Sequence, residues 1–350
     1  MNSFDVISKG LLPFLGGMRR FIPFLFDAAQ SVVPMSEWHK WSYHDMTCGS
    51  CAGSAAFGFY GMSVSANDLA LRSYVSAQAI FGDVRSRRWV LEGLLRLAQE
   101  KAPEELVPDG KTPAGELIPD HLHPIAAAVF DALYYASERG DLVREQAAYY
   151  RFMAVRWVLL NKNYMYFLKL PTQDLQQLSL QGKQWENVAK ILLEPLPALL
   201  KVAKDVDHLV HALQSAKMER APKVMVGDCR ENIKQIDFDR PSFVGLNPPT
   251  AGNATFMQSN RVLDTLLFNE PQALDEGDMP GDLWRSLILD TVAHIPSGHY
   301  VFSFVGDGAV SWEEGKEEVF AKVGPTVKEW SFPWHGSDTR NAGLILLRRD

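Results

Sequence analysis

The sequence predicts an α/β fold. Its main body is one mostly parallel sheet built from both ends of the chain and finished by a C-terminal antiparallel hairpin, with a helical domain inserted between the halves. Three observations carry this. Short apolar runs bounded by turn residues occupy residues 1 to about 80 and return after residue 220. Between 85 and 215 strand signals nearly vanish, and apolar residues recur at helical spacing, as in Phe152, Val155 and Leu159. After 220, strand runs alternate with a helix, the signature of a parallel sheet. The implied domains are 1–84 with 216–350, and 85–215.

The first 80 residues are rich in Gly, Ser, Phe and Trp, a texture that suits strands joined by glycine loops. One strand ends near Asp45. A loop of Gly, Ser and Ala then enters a helix, and a short strand, Met62 to Ala66, ends at Asn67-Asp68. Helical spacing covers Trp89 to Gln99, Ile125 to Ser137, Leu142 to Leu160 and Trp185 to Leu213, and Pro195 and Pro197 should break or kink the last. Lys101 to His123 is Pro- and acid-rich and reads as a surface loop. Strands follow at Lys223 to Val226, Ser242 to Leu246, Tyr300 to Val305, Val327 to Phe332 and Gly343 to Leu347, with a helix at Asp282 to Ala293.

With 350 residues, 47% hydrophobic and 22% charged, the chain has the composition of an ordinary globule, which excludes wholesale disorder and fibrous repeats. Its 35 basic and 42 acidic residues leave a formal charge of −7, so any nucleic-acid contact must come from a local patch. Three cysteines, Cys48, Cys51 and Cys229, cannot make a disulfide framework and point to a reducing compartment, the cytoplasm. Leu11 to Val33 is apolar but interrupted by Gly16, Gly17, Arg19, Arg20, Pro23 and Asp27, too broken to span a membrane, and it lacks a cleavage site for secretion.

Chemistry concentrates at predicted strand ends. One strand ends at Gly227-Asp228, followed by Cys229; the next, Ser242 to Leu246, ends at Asn247-Pro248-Pro249-Thr250. Ligands in open α/β sheets bind beyond the carboxyl ends of strands, so Asp228 and Asn247 are expected to face one crevice. Consecutive prolines lock two φ angles and remove two donors, leaving the Asn247 side chain and the Pro248 carbonyl as fixed acceptors suited to an amino group. The alternative is an ordinary loop start after a strand. In Asp45 to Ala52 the small-residue loop lets backbone approach a ligand closely, and Asp68 at the next strand's end is placed to accept from ribose hydroxyls. Otherwise Gly49 and Gly53 serve helix packing, and Asp68 caps a helix.

These stretches resemble the Dam-like DNA adenine methyltransferases, in that family's own order. Leu12-Pro13-Phe14-Leu15-Gly16-Gly17-Met18 is similar to its Pro-Phe-Gly-Gly-Lys element, Asp45 to Ala52 with Asn67-Asp68 to its glycine loop and acidic ribose contact, Leu160-Asn161-Lys162 to a stretch of its target-recognition insertion, and Gly227-Asp228 with Asn247 to Thr250 to its adenine contact and Asp-Pro-Pro-Tyr motif. The resemblance implies a Rossmann-like methyltransferase sheet that binds S-adenosylmethionine through Gly16, Gly17, Asp45, Thr47, Gly49, Asp68, Asp228, Cys229 and Asn247. It further implies that Asn247, Pro248, Pro249 and Thr250 catalyse methyl transfer to the exocyclic amine of adenine in DNA, with the helical insertion recognising the target, in DNA modification of the restriction-modification kind. The chain departs from the family at Met18 for Lys, at Thr47 for Phe, at Cys51 for the second loop glycine and at Thr250 for the aromatic that stacks on the extruded base. Phe256 offers a replacement stacking surface if its loop folds back.

Arg139 to Lys169 is the candidate patch for nucleic acid, with Arg139, Arg144, Arg151, Arg156, Asn161 and Lys162 as contacts and aromatics interleaved. Against it, Phe152, Val155 and Leu159 form a core stripe. Cys48 and Cys51 lack the second pair that zinc requires, so no metal is expected. The alternatives are amino methylation of RNA or of a protein glutamine, and a non-catalytic relative that binds DNA or a partner protein in counter-defence or regulation.

Overall fold

The computed structural model describes residues 3–12, 18–82, 91–93, 95–96, 122–138, 140–161, 170–248, 263–264, 266–267, 281–306, 310–333 and 341–350. Seven strands form one sheet: β1 (Ser42–Asp45), β2 (Ser63–Asp68), β3 (Lys223–Val226), β4 (Ser242–Leu246), β5 (Tyr300–Val305), β6 (Thr326–Pro333) and β7 (Asn341–Arg348). Their order is β3-β2-β1-β4-β5-β7-β6. The first five run parallel, and β7 inserts antiparallel between β5 and β6. The parallel part therefore follows the 3-2-1-4-5 order of doubly wound folds, whose chain reverses direction across the sheet at the β1/β4 boundary.

The period-two pattern of the strands sorts their side chains into two cores. Phe243 of β4, Phe302 and Phe304 of β5 and Leu344 and Leu346 of β7 join Phe21, Leu25, Trp38 and Phe57 on one face. Val244, Leu246, Val301, Val305, Ile345 and Leu347 join Trp284, Ile288, Val319 and Phe320 on the other. Central strands β1 and β4 are buried at every position, whereas edge strand β6 alternates half-buried with exposed residues.

The chain divides into two compact units. One comprises Gly16–Ala77, Ala212–Met257 and Asp275–Asp350 and contains the sheet; the other comprises Met1–Leu15, Gln78–His211 and Gln258–Leu274. Met1–Leu15 and Gln258–Leu274 thus join the helical unit, although the sequence reading gave both segments to the sheet domain. Within the helical unit, Pro124–Ser137 packs against Arg144–Leu160, with the Trp157 indole donating to the Ala126 carbonyl at 3.2 Å. The predicted long helix is two, Lys183–Leu193 and Pro195–Ser215, interrupted at Glu194. Proline at 195 drives its predecessor out of the helical region, and Glu194 sits at φ −126°, ψ 68°.

The N-terminal texture was misleading. Ala52–Phe59 is the helix expected after the glycine loop, but where strands and loops were expected the described residues also hold helices Ser3–Gly10, Ile22–Val32 and Leu71–Phe81, with only two strands. Ala52–Phe59 is buried at seven of its eight positions, so it carries no polar stripe for a helical period to reveal. No helix among the described residues is long and apolar enough to cross a membrane.

Candidate functional site at the carboxyl edge of the sheet

A crevice opens at the carboxyl ends of β1 and β4, lined by Met18, Tyr43, Asp45, Thr47, Cys48 and Asn247 among others. Its position at the reversal of strand order is where open α/β sheets bind ligands. Tyr43 and Asp45, two residues apart on β1, point to the same face. Room for them comes from missing side chains: a Cβ added at Gly245 would stand 2.4 Å from the Tyr43 hydroxyl and 3.2 Å from Asp45 Oδ1, and one at Gly53 2.5 Å from that hydroxyl. Gly53 and Gly245 are therefore sterically required.

Asp45 Oδ2 accepts from the Ser54 backbone N–H at 3.2 Å and from the Ser54 hydroxyl at 2.9 Å, tying the strand end to the following helix. Burial pushes its carboxyl up to about 7, against the lowering effect of the Ser54 hydrogen bonds. Burial also raises the Tyr43 phenol well above its ordinary value, with the Asp45 charge adding to it. Across the switch point, Thr47 Oγ1 accepts from the Asn247 backbone N–H at 2.6 Å. This bond couples the exit of β1 to the exit of β4 and orients the residue that opens the Asn-Pro-Pro segment. Asn247 is half-buried and Pro248 buried.

Asp68 ends β2 and braces the glycine loop. Its Oδ2 accepts from Gly49 N–H at 2.7 Å and its Oδ1 from Ala70 N–H at 2.9 Å. Asn67, fully buried, donates to the carbonyls of Met46 at 2.9 Å and Gly227 at 3.0 Å and accepts from Asn232 at 2.6 Å, so one amide clasps the ends of β1, β2 and β3. Asp228 caps the helix Cys229–Asn232 and is engaged by Arg230, whose Nε lies 3.1 Å from both oxygens and whose Nη2 lies 2.5 Å from Oδ2. That guanidinium holds the Asp228 carboxyl below its usual range. Cys229 is buried beneath it, with the Thr291 hydroxyl 3.4 Å from its sulfur.

Asp45, Thr47 and Asn247 thus line one crevice; Gly49, Asp68, Asp228 and Cys229 lie along the same carboxyl edge of the sheet, but Asp228, expected to face that crevice with Asn247, follows edge strand β3, three strands from β4, and does not line it. Gly16, Gly17, Pro249 and Thr250 lie outside the described residues, as do Arg139 and Lys162 and the proposed stacking residue Phe256. Of the other expected nucleic-acid contacts, Arg144 is exposed. Arg151 is half-buried, paired with Glu138, with its Nε 3.3 Å from the Ser137 hydroxyl. Arg156 and Asn161 require correction. Arg156 is buried and donates to the carbonyls of Leu11 at 2.5 Å and Lys9 at 2.7 Å, so it closes the C-terminal end of the helix Ser3–Gly10. Asn161 is buried and donates to the Trp157 carbonyl at 2.7 Å. Neither faces a phosphate, because both satisfy backbone oxygens inside the helical unit. Tyr149, Phe152 and Trp157 are core as well.

Sequence reasoning missed Tyr43, Ser54, Asn67 and Leu69. Tyr43 was recoverable from its two-residue spacing to Asp45. Leu69 was not: only the structure reveals that this leucine, beside Asp68, is 77% exposed, with Val226 at the end of neighbouring β3 47% exposed. Exposed leucine and valine at the carboxyl edge offer an apolar surface to a flat ring. No group of three or more potential metal ligands occurs among the described residues. No protein-family model matches the chain, and comparison with curated proteins returns no significant match.

Proposed function

We propose that the chain is an S-adenosylmethionine-dependent methyltransferase acting on an exocyclic amine, that of adenine in DNA. The carrying observation is Asn247-Pro248 at the carboxyl end of β4, at the switch point of a 3-2-1-4-5 sheet, coupled through Thr47 to the end of β1. The antiparallel β7 beside β5 agrees with the methyltransferase sheet that the resemblance implies.

The residues present fit the cofactor by their chemistry. Asp45 is a buried carboxyl that no cation among the described residues stabilises, and an α-ammonium group would return it to its charged form. Asp68, with Gly49 held against it, stands at the end of β2 for ribose hydroxyls, and Leu69 and Val226 for the adenine face. Asp228 reaches an adenine amine once Arg230 releases one of its oxygens. The cofactor supplies a methyl group made electrophilic by its sulfonium.

The chain's own work is positional. The Asn247 side-chain oxygen and the Pro248 carbonyl accept from the two N–H groups of the amine. Both acceptors lie near the amine plane, so the nitrogen lone pair is aimed out of it, toward the methyl carbon. Pro248 has no N–H to compete, and Thr47 fixes the Asn247 backbone. No acid or base is required before transfer. A base within a duplex reaches such a crevice only by flipping out.

A second reading, amino methylation of RNA or of a protein glutamine, is favoured by the burial of Arg156 and Asn161 and by the charge of −7. One experiment separates the two readings: radiolabelled methyl transfer to adenine-containing DNA, to RNA and to a glutamine peptide, with a thermal shift by S-adenosylhomocysteine. Transfer to DNA supports the proposal, and transfer only to another acceptor supports the second reading. No shift and no transfer would leave a non-catalytic protein. Saturation at about 100 times the dissociation constant should stabilise the fold by about 2.7 kcal/mol.

A further inference from the structure

We propose that Cys48 and Cys51 are a redox modification site, a dithiol that closes reversibly to a disulfide when a small peroxide enters the crevice. The inference does not rest on the proposed methyl transfer. It rests on the turn Cys48-Gly49-Ser50-Cys51, where the Cys51 N–H donates to the Cys48 carbonyl at 2.7 Å. Gly49 and Cys51 both take positive φ, 51° and 60°. The tightly wound turn sets the two thiols side by side, with the sulfurs 3.6 Å apart. A disulfide needs about 2.05 Å, so closure asks for about 1.5 Å of approach, within the range of side-chain rotation.

The two sulfurs differ in access. Cys48, 6% exposed, lines the crevice, whereas Cys51 is fully buried at the start of the helix Ala52–Phe59. Cys48 is therefore the attacking thiol and Cys51 the resolving one. In the first step the Cys48 thiolate attacks one oxygen of hydrogen peroxide. An S–O bond forms, the O–O bond breaks, and the departing hydroxide takes a proton to become water. In the second, the Cys51 thiol, giving up its proton as it reacts, attacks the Cys48 sulfur. The S–S bond forms, the S–O bond breaks, and the second oxygen leaves as water with the Cys51 proton. Two electrons pass from the sulfur pair to one peroxide. The hydrogen bond from Cys51 and burial raise the Cys48 thiol, so the first step accelerates as pH rises. Gly49 lies between the cysteines and donates to Asp68, so oxidation acts on the loop that walls the crevice. Cys229, 7% exposed against 6% for Cys48 but set beside the Thr291 hydroxyl instead of a second thiol, serves as an internal control for pairing.

The full chain is treated with hydrogen peroxide at neutral and at alkaline pH, unfolded, alkylated and mapped by peptide mass. The expected result is that the three alkylatable thiols fall to one, Cys229, and that the peptide carrying Cys48 and Cys51 is lighter by two hydrogens. Closure is faster at alkaline pH, and dithiothreitol restores all three thiols. In Cys51→Ser the reaction stops at a Cys48 sulfenic acid that dimedone traps. Three persisting thiols in the oxidised parent overturn the proposal. So does over-oxidation of Cys48 with Cys51 still a free thiol, or loss of Cys229 ahead of the pair.

Discussion

The carboxyl edge of the sheet and the helix Arg144–Leu160 were both singled out by residue type, yet the molecule uses them oppositely. At the sheet edge, Asp45, Thr47 and Asn247, drawn from segments 200 residues apart, meet in one crevice. In the helix, Arg156 and Asn161 turn inward to satisfy carbonyl oxygens, while Arg144 alone of that helix's arginines is exposed. A strand end has an address set by topology, so a polar residue there faces the crevice. A cation on a helix has no such address, and it can serve a buried helix end as readily as a phosphate.

The sharpest way to break this contrast is at Asn247. On the proposed activity, Asn247→Ala should lower methyl transfer by about 100-fold to 1,000-fold and weaken affinity for S-adenosylhomocysteine far less. Radiolabel incorporation beside calorimetric binding checks it, and undiminished transfer would move the chemistry away from the sheet edge.

Next in size is Arg156. Arg156→Ala removes two charge-assisted hydrogen bonds and leaves two inner carbonyls short of donors. A loss of about 3 kcal/mol is expected in urea unfolding, against less than about 0.5 for Arg144→Ala. Arg144→Ala should instead reduce the salt dependence of DNA binding by about one unit if it contacts a phosphate. Equal stabilities for the two variants would contradict the burial argument.

Asp68→Ala deprives the Gly49 and Ala70 amides of their acceptor. It should cost about 1 to 2 kcal/mol and weaken S-adenosylhomocysteine binding further than that destabilisation alone explains. Stability loss with unchanged affinity per folded molecule would reduce Asp68 to a loop brace.

The parent's net pH dependence is the smallest effect, because neighbouring β1 residues oppose each other. Asp45 is raised from 3.8 to about 7, so the folded chain holds a proton that the unfolded chain has lost, and stability falls as pH rises from about 4 to 7. Burial lowers His44, on the opposite face and hydrogen-bonded to Ser65, from 6.5 to about 3, so stability rises with pH between about 3 and 6.5. The two slopes largely cancel from about pH 4 to 6.5. Asp45→Asn should expose the His44 slope, bounded by about 1.4 kcal/mol per pH unit. Thermal unfolding across that range measures it; a slope already present in the parent and unchanged in the variant would show that Asp45 is charged in the folded chain.

Strands β3, β4 and β5 have the bounds that apolar runs and flanking turn residues predicted: β4 and β5 are central parallel strands, apolar on both faces, and all three, edge strand β3 included, stop where glycine or an Asn-Pro turn begins. The hairpin was legible from its two closely spaced strand runs, with β6 and β7 extending one or two residues further at each end. The glycine loop was legible from its small residues, but the need for glycine at 53 and 245 beneath Tyr43 was not, since it exists only once β4 is beside β1.

By itself, then, the sequence determined the α/β class, the two textures and the presence of acidic and amide residues at strand ends, because these follow from local periodicity and turn chemistry. Only the tertiary structure decided that β1 and β4 are neighbours, that the Thr47 hydroxyl holds Asn247, that the sulfurs of Cys48 and Cys51 nearly touch, and that Arg156 is spent on the carbonyls of Lys9 and Leu11. Each of these is a property of distance and burial, and neither quantity exists until strands from distant parts of the chain pair and exclude water.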